Sequence, residues 1–218
     1  MTAKGVGAIE PEEGTHKEVD GARAELASRG SLASRGSDVL DDDDLLHGGS
    51  TALVSMIDRG FVHVANLGDC RAVLGRGSTA LRLSCDHTPA LDSERDRILS
   101  LGGTIRNNRV HGILAVTRAL GDLELQPFVS AEPQLRLEQL QSGDSYLLMA
   151  SDGLWGKVSD DEALEIAMAQ PTAQAAAEAL VAEAERRGGT DNTSVIAVRL
   201  DEYCASSCAS AAAADDQS

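Results

Sequence analysis

The sequence predicts an α+β fold over residues 48–201, and this prediction depends on the order of its elements. Short strand-like runs come first at hairpin spacing, two helix-like runs follow, and a last strand-like run returns at the end. Strands and helices that segregate along a chain in this way are typical of α+β architecture. The runs assigned to strands are apolar or β-branched, and several are bounded by glycine.

The strands are predicted from these apolar runs in chain order. The first four cover residues 51–57, 61–66, 71–74 and 81–83, and the last two cover residues 146–150 and 193–200. A short helix is predicted over residues 93–101, because two glycines follow it and would end it.

Two further helices are predicted between the last two strands. Ser159 is suited to cap a helix over residues 160–169, because Glu162 three positions later completes a capping box. The next helix, over residues 172–187, is rich in alanine and is followed by two glycines that would close it.

The two ends of the chain have a different composition from this central domain. Residues 1–47 are rich in Glu, Asp, Gly and Ser and contain the repeat LASRGS twice, at 26–31 and 32–37. We predict a flexible acidic segment there, with a short helix at residues 22–27, because little apolar surface is available for burial. Residues 202–218 form an Ala/Ser tail that is predicted to be disordered.

Composition excludes several classes of function. The chain has 218 residues and a net charge of −16, so its field repels nucleic acid and anionic membranes, and neither is expected as a partner. No apolar run reaches the roughly 20 residues needed to cross a bilayer, and no secretory signal is recognisable at the start. The four cysteines form no C-x-x-C pair, which argues against a zinc site or a disulfide framework. A cytoplasmic location, with the nucleus as an alternative, is therefore expected.

Three aspartates are the candidate metal ligands. Asp152 follows a buried apolar strand in Ser-Asp-Gly, and Asp191 comes just before the returning strand in Gly-Thr-Asp-Asn. If these two strands are neighbours, the carboxylates converge on one hard cation, since Mg²⁺ and Mn²⁺ prefer oxygen ligands. Asp69 is a third candidate, in a tight turn between two strands. The alternative for each is an ordinary turn or capping aspartate.

Taken together and in order, seven segments resemble the metal-dependent serine/threonine protein phosphatase family of type 2C. The similarity extends over residues 49–200, or 152 of 218. The segments are GSTA at 49–52, NLGDCRA at 66–72, DHTP at 86–89, ERDRI at 94–98 with GG at 102–103, LAVTRALGD at 114–122, ASDGLW at 150–155 and GTDNTSV at 189–195.

The resemblance implies a sandwich of two antiparallel β-sheets flanked by helices, with a two-metal site at one end of the sheets. It implies that Asp152 bridges two Mg²⁺ or Mn²⁺ ions, that Asp191 binds the second ion, and that Asp69 belongs to a weaker third. It also implies a phosphoprotein substrate and hydrolysis of phosphoserine or phosphothreonine by a metal-activated water, without a phosphoenzyme. The protein is expected to be a monomer. Arg118 could either meet phosphate or fix the acidic loops.

The chain departs from the family pattern before Gly48. The family's phosphate-gripping arginine, its acidic pair and its Asp-Gly-His-Gly-Gly run are missing, so the domain is expected to be N-terminally incomplete and to expose sheet edges and apolar faces. Asp20-Gly21 is the nearest match to the missing run, or else a chance turn. Gly156 also stands where the family usually has an acidic residue. A catalytically impaired member that binds a phosphoprotein or another partner is therefore the alternative function, and a hydrolase of small phosphoesters is a third.

Overall fold

The computed structural model describes residues 48–200, so the predictions for residues 1–47 and 202–218 fall outside the described part. Eleven strands, four α-helices and one 3₁₀ turn (Leu123–Leu125) lie within it. The strands are β1 (Gly49–Ser50), β2 (Ala52–Asp58), β3 (Phe61–Leu67), β4 (Arg71–Arg76), β5 (Thr79–Arg82), β6 (Ile105–Arg106), β7 (Arg109–Val110), β8 (Leu120–Gly121), β9 (Gln134–Gln139), β10 (Asp144–Ala150) and β11 (Val195–Arg199). The helices are α1 (Asp92–Ser100), α2 (Asp152–Trp155), α3 (Asp160–Met168) and α4 (Ala173–Arg186).

A four-stranded antiparallel sheet, in the order β11-β10-β4-β5, is the centre of the domain. Strand β10 pairs with β4 on one side and with β11 on the other, so Ala150 lies opposite both Arg71 and Val195. Side chains on both faces of β10 are buried, because layers of the protein cover it above and below. This explains why its sequence is a continuous apolar run rather than an alternating one.

The second sheet has three antiparallel strands in the order β2-β3-β9 and packs on one face of the first. Its inward side chains Val62 and Val64 join Leu74, Leu147 and Met149 of the first sheet in one buried cluster. The predicted α+β sandwich of two antiparallel sheets is confirmed. The chain crosses from one sheet to the other between β3 and β4, at the turn that contains Asp69.

Helices α3 and α4 cover the opposite face of the four-stranded sheet. Leu148 and Tyr146 of β10 form a buried cluster there with Leu164 of α3 and Leu180 of α4. Helix α3 comes close to the sheet at Gly75, where an added Cβ would lie 2.4 Å from a Leu164 methyl group. The predicted capping box is present, because the Ser159 hydroxyl accepts from the backbone of Glu162 while the Glu162 side chain accepts from the backbone of Ser159.

The outer face of the three-stranded sheet is apolar and uncovered by the other described residues. The register places Val54 beside Ala65 and Leu135 in one row, and Met56 beside His63 and Leu137 in the next. Leu135 is 75% exposed, and the three other large apolar side chains are more than half exposed. The layer order within residues 48–200 is therefore helices, sheet, sheet, as expected for a domain whose described part lacks one flanking layer.

The predicted elements agree with the structure to within about three residues at each end. The differences are additional elements: strand β9, the four-residue helix α2 and the two-residue ladders β1–β8 and β6–β7. Helix α1 and the β6–β7 ladder share a small core that includes Ile98 and Val110. No helix within the described residues has the length and apolarity needed to span a membrane.

Candidate metal centre

Asp69 lies in the turn that links β3 to β4. Gly68 precedes it with a φ of +107°, and a Cβ at Gly68 would lie 2.2 Å from the Thr51 methyl group, so only glycine fits this position. The buried Asn66 side chain donates to the carbonyl oxygens of Gly68 (3.2 Å) and Cys85 (2.8 Å). The turn is thereby fixed, and the Asp69 side chain is half-buried.

Asp152 follows the end of β10 directly and is the first residue of α2. The helix is anchored by Leu154 and Trp155, both buried in the cluster beneath α3 and α4. The Trp155 indole donates to the carbonyl oxygen of Ala150 at 3.0 Å, which ties the end of the helix back to the end of the strand. Asp152 itself is exposed, so its carboxylate is available to a ligand from solvent.

Asp191 is held close to the Asp152 helix by contacts between their two loops. The Ser151 hydroxyl donates to the carbonyl oxygen of Asn192 and accepts from the Ser194 amide, both at 3.1 Å. A Cβ at Gly153 would lie 2.6 Å from the Asn192 carbonyl oxygen, so glycine is needed there for a close approach of the two loops. Gly153 has no positive φ and is buried in the helix, so the requirement for glycine comes from this close approach and not from a turn.

The strand register brings the three aspartates to one end of the four-stranded sheet. Arg71 pairs with Ala150, so Asp69, two residues before Arg71, and Asp152, two residues after Ala150, lie at the same end of the sheet, and the charge of Asp152 acts on Asp69. Ala150 also pairs with Val195, and Asp191 lies four residues before Val195. The last two strands are thus neighbours, which is the condition for Asp152 and Asp191 to lie close together.

The electrostatics of Asp69 reflect this convergence of carboxylates. Burial raises the pKa of the Asp69 carboxyl above its usual value, and the negative charge of Asp152 raises it further. Asp86 and Asp191 add smaller repulsions of the same sign. A site in which several carboxylates repel one another without a compensating cation favours the binding of positive charge.

The donor chemistry of the candidate aspartates suits Mg²⁺ or Mn²⁺, because hard divalent cations prefer carboxylate oxygens. The Asp152 and Asp191 side chains are exposed to solvent. Within residues 48–200, however, no group of three or more His, Cys, Asp or Glu side chains is arranged closely enough to hold a metal ion. Asp191 also accepts a hydrogen bond from the neighbouring Asn192 amide at 2.8 Å. Among the described residues the three aspartates are therefore candidate ligands that do not by themselves form a complete metal-binding group.

A buried ionic network behind the aspartates was not predicted from the sequence. Arg71 forms a two-pronged ion pair with Asp86 and a third hydrogen bond to Asp160. The only indication of this network in the sequence was the presence of charged residues at the start of β4 (Arg71) and after β5 (Asp86). That signal is weak, because the partners lie 15 and 89 positions from Arg71 along the chain.

Arg118 belongs to a second, partly buried network. Its guanidinium donates to Glu94 of α1 (2.6 Å) and to the carbonyl oxygen of Glu132 (2.9 Å), so it joins the helix to the segment before β9 and favours the structural interpretation of Arg118. Burial alone would raise the pKa of Glu94, but hydrogen bonds from Arg118, Arg97 and Thr117 outweigh it and lower the pKa to about 2. Glu94 is consequently ionised and fully paired, which is a structural role rather than an acid–base one.

Comparison with known proteins identifies the family of this chain. The family model described as protein phosphatase 2C matches residues 15–193, so the match begins inside the segment predicted to be flexible and includes Asp20-Gly21. The probable protein phosphatase 2C 25 of Arabidopsis thaliana is 37% identical over 190 residues, which are 83% of this chain and 48% of that protein. The probable protein phosphatase 2C 74 of Oryza sativa subsp. japonica is 43% identical over 162 residues, 72% of this chain and 41% of that protein.

Solved structures give the same result. The serine-threonine phosphatase 2C from Toxoplasma gondii superposes with a TM-score of 0.63 at 25% identity, covering 84% of this chain and 64% of the other. A Caenorhabditis elegans sex determining protein superposes with a TM-score of 0.66 at 28% identity, covering 71% of this chain and 41% of the other. The chain spans about half the length of the curated relatives that it matches. It belongs to the protein phosphatase 2C family.

Proposed function

We propose that this chain is a metal-dependent protein serine/threonine phosphatase that hydrolyses phosphoserine and phosphothreonine esters. The observation that carries the proposal is the convergence of Asp69, Asp152 and Asp191 at one end of the four-stranded sheet. Burial raises the pKa of Asp69, repulsion from Asp152 and Asp191 raises it further, and a bound divalent cation would relieve that repulsion. Family membership supports the same reaction.

The roles of the three aspartates are those that the resemblance to the family implies. Asp152, which follows the strand that lies between β4 and β11, would bridge two cations. Asp191 would bind the second cation, and the half-buried Asp69 a weaker third. Two Mg²⁺ or Mn²⁺ ions, when bound, would activate a water and stabilise charge on the phosphoryl oxygens. Ser151 and Gly153 keep the Asp152 helix and the Asp191 loop at a fixed spacing.

The proposed substrate is a phosphoprotein of the cytoplasm or the nucleus. The net charge of −16 favours phosphoproteins with basic surroundings, because a negative field attracts positive segments over long distances. Such attraction is screened by salt, so the KM for a basic phosphopeptide should rise with ionic strength more than the KM for an acidic one.

The decisive experiment is hydrolysis of a phosphothreonine peptide by the full chain with and without Mn²⁺. We expect Mn²⁺-dependent release of phosphate that Asp152→Ala abolishes. Asp92→Ala is the matched control, because the Asp92 side chain is 91% exposed, lies on α1 and makes only a long 3.5 Å contact with Arg95. Equal rates in the wild type and in Asp152→Ala would refute the proposal, and full activity without added metal would refute the metal mechanism.

The alternative is a catalytically impaired member that binds a phosphoprotein without hydrolysing it. Two observations favour it: the described residues provide no complete metal-ligand group, and Gly156 contributes no carboxylate after Trp155. A phosphothreonine peptide that binds with a measurable Kd, but is not hydrolysed at saturating Mn²⁺, would support this alternative. Hydrolysis in the same titration would exclude it.

A further inference from the structure

Arg71 is a buried arginine at the first position of β4, two residues after Asp69 and paired across the sheet with Ala150, two residues before Asp152. Only 11% of its side chain is exposed. All three guanidinium nitrogens donate hydrogen bonds. Two are directed to the carboxylate oxygens of Asp86 at 3.0 and 2.5 Å, and the third to Asp160 at 2.6 Å.

The pairing with Asp86 closes a ring of contacts around the Asp69 turn. His87, which follows Asp86, donates its backbone amide to the Gly68 carbonyl oxygen at 2.9 Å. The Gly68 amide in turn donates to the imidazole Nδ1 of His87 at 3.2 Å. Residues 68–71 are therefore fastened at both ends to residues 86 and 87, so the backbone that carries Asp69 has little freedom to move.

The same guanidinium also contacts the helix that carries Asp152. It lies over the Trp155 ring, with 5.1 Å between the guanidinium carbon and the ring centroid. Trp155 is the last residue of α2 and Asp152 is the first. Asp160, the third hydrogen-bond partner, begins the next helix and is held by Arg82 at 2.7 Å as well. One side chain is thus linked to the Asp69 turn through Asp86 and His87, and contacts the Asp152 helix directly at Trp155.

We propose that Arg71 is a positioning residue that fixes the Asp69 turn and the Asp152 helix relative to one another. It meets no substrate, and it acts through Asp86 on the turn and through Trp155 on the helix. The expected effect of Arg71 on metal binding rests on the function proposed above. Its effect on the relative positions of the Asp69 turn and the Asp152 helix rests only on the contacts described here.

The contacts of Arg71 require a planar guanidinium group. Its planar fork bonds both oxygens of Asp86 while its face lies on the indole ring, and an ammonium group can do neither with the same geometry. Arg71→Lys keeps the charge and removes the fork and the stacked plane. This substitution should therefore loosen the site even though the charge is conserved.

Arg76 is the matched control, because it lies at the other end of the same strand and has the same kind of pairing. Its guanidinium bonds both oxygens of Asp144 at 2.9 and 3.1 Å and one oxygen of Glu138 at 2.9 Å. Arg76→Lys removes a comparable network far from the candidate ligands. The two substitutions thus separate a local effect at the site from a general loss of stability.

The first test is amide hydrogen exchange of the full metal-free chain. We expect Arg71→Lys to speed exchange at Gly68, His87 and Gly156 by about tenfold, because the loss of charged hydrogen bonds loosens the segments to which these amides belong. Arg76→Lys should leave those three amides unchanged and affect the β4 end near Gly77 instead. The proposal is overturned if Arg71→Lys leaves the three amides within about twofold of wild type, or if both variants speed exchange uniformly. Asp86→Asn gives the same test if Arg71→Lys does not fold.

The second test is calorimetric titration with Mn²⁺. Arg71→Lys should bind Mn²⁺ about tenfold or more weakly than the wild type, as is usual when a residue that orients metal ligands is changed, whereas Arg76→Lys should bind as the wild type does. Equal affinity in the wild type and in Arg71→Lys overturns the positioning role in metal binding. Absence of Mn²⁺ binding in the wild type overturns the proposed function instead, and the exchange experiment still decides the geometric part.

Discussion

Substitution of Gly153 by alanine tests how closely the two loops of the site must approach. The new Cβ would lie 2.6 Å from the Asn192 carbonyl oxygen, and restoring an ordinary contact of 3.4 Å requires a displacement of about 0.8 Å. The Thr193 hydroxyl oxygen would lie at the same 2.6 Å, and the Asn192 oxygen belongs to the backbone, so the loop that carries Asp191 must move as a unit away from Gly153. Overpacking of this kind costs about 1–3 kcal/mol of unfolding free energy.

The functional loss should exceed the loss of stability. Displacement of a catalytic ligand by nearly an ångström lowers kcat/KM by about 100-fold, so Gly153→Ala should fold and yet lose most Mn²⁺-dependent hydrolysis. Gly48→Ala is the control, because an added Cβ there would have no atom within 4 Å. Denaturant unfolding and phosphopeptide hydrolysis measure the two effects. A folded Gly153→Ala variant with wild-type Mn²⁺ affinity and activity would refute the reasoning that this contact sets the spacing of the aspartates.

Three further predictions concern stability. The pKa of Glu94 is about 2 in the folded chain, against an ordinary value of 4.5. The ionised Glu94 therefore contributes about 3 kcal/mol to the free energy of unfolding above pH 4.5, and this contribution is lost as the pH falls towards 2. Glu94→Gln should therefore flatten the stability profile measured by urea unfolding between pH 5 and about 2, and an unchanged slope would contradict this. Leu180→Ala should lower the free energy of unfolding by about 2–5 kcal/mol, because Leu180 is fully buried. Leu135→Ala, on the exposed sheet face, should lower it by less than about 0.5 kcal/mol. Equal losses in the two variants would argue against the assigned layers. Ser159→Ala should cost about 1 kcal/mol, measured by thermal unfolding, through loss of the capping box, and no change would contradict that cap.

Local signals in the sequence were sufficient for most elements of the fold. The capping box at Ser159 and Glu162 predicted the start of α3 correctly, because the hydrogen bonds involved span only three residues. Strand β9 was missed because its two leucines, Leu135 and Leu137, point to the uncovered face of the sheet and are surrounded by polar residues. The four-residue helix α2 was missed because Ser-Asp-Gly has the composition of a turn.

The candidate site could be predicted only in outline. Apolar runs that end in Asp152 and begin after Asp191 indicated carboxylates at strand ends, and the pairing of β10 with β11 confirmed that these ends are neighbours. The long-range contacts that shape the site were beyond the reach of the sequence. The approach of Gly153 to Asn192 and the ion pairs of Arg71 depend on how distant segments pack, and no local pattern specifies that.

The proposed phosphatase function depends on whether Asp152 holds a divalent cation. Calorimetric titration of the full chain with Mn²⁺ measures this directly and needs no substrate. We predict saturable binding that Asp152→Ala weakens at least about tenfold and that Asp92→Ala leaves unchanged. Absence of saturable Mn²⁺ binding in the wild type, or equal binding in the wild type and in Asp152→Ala, would contradict the account.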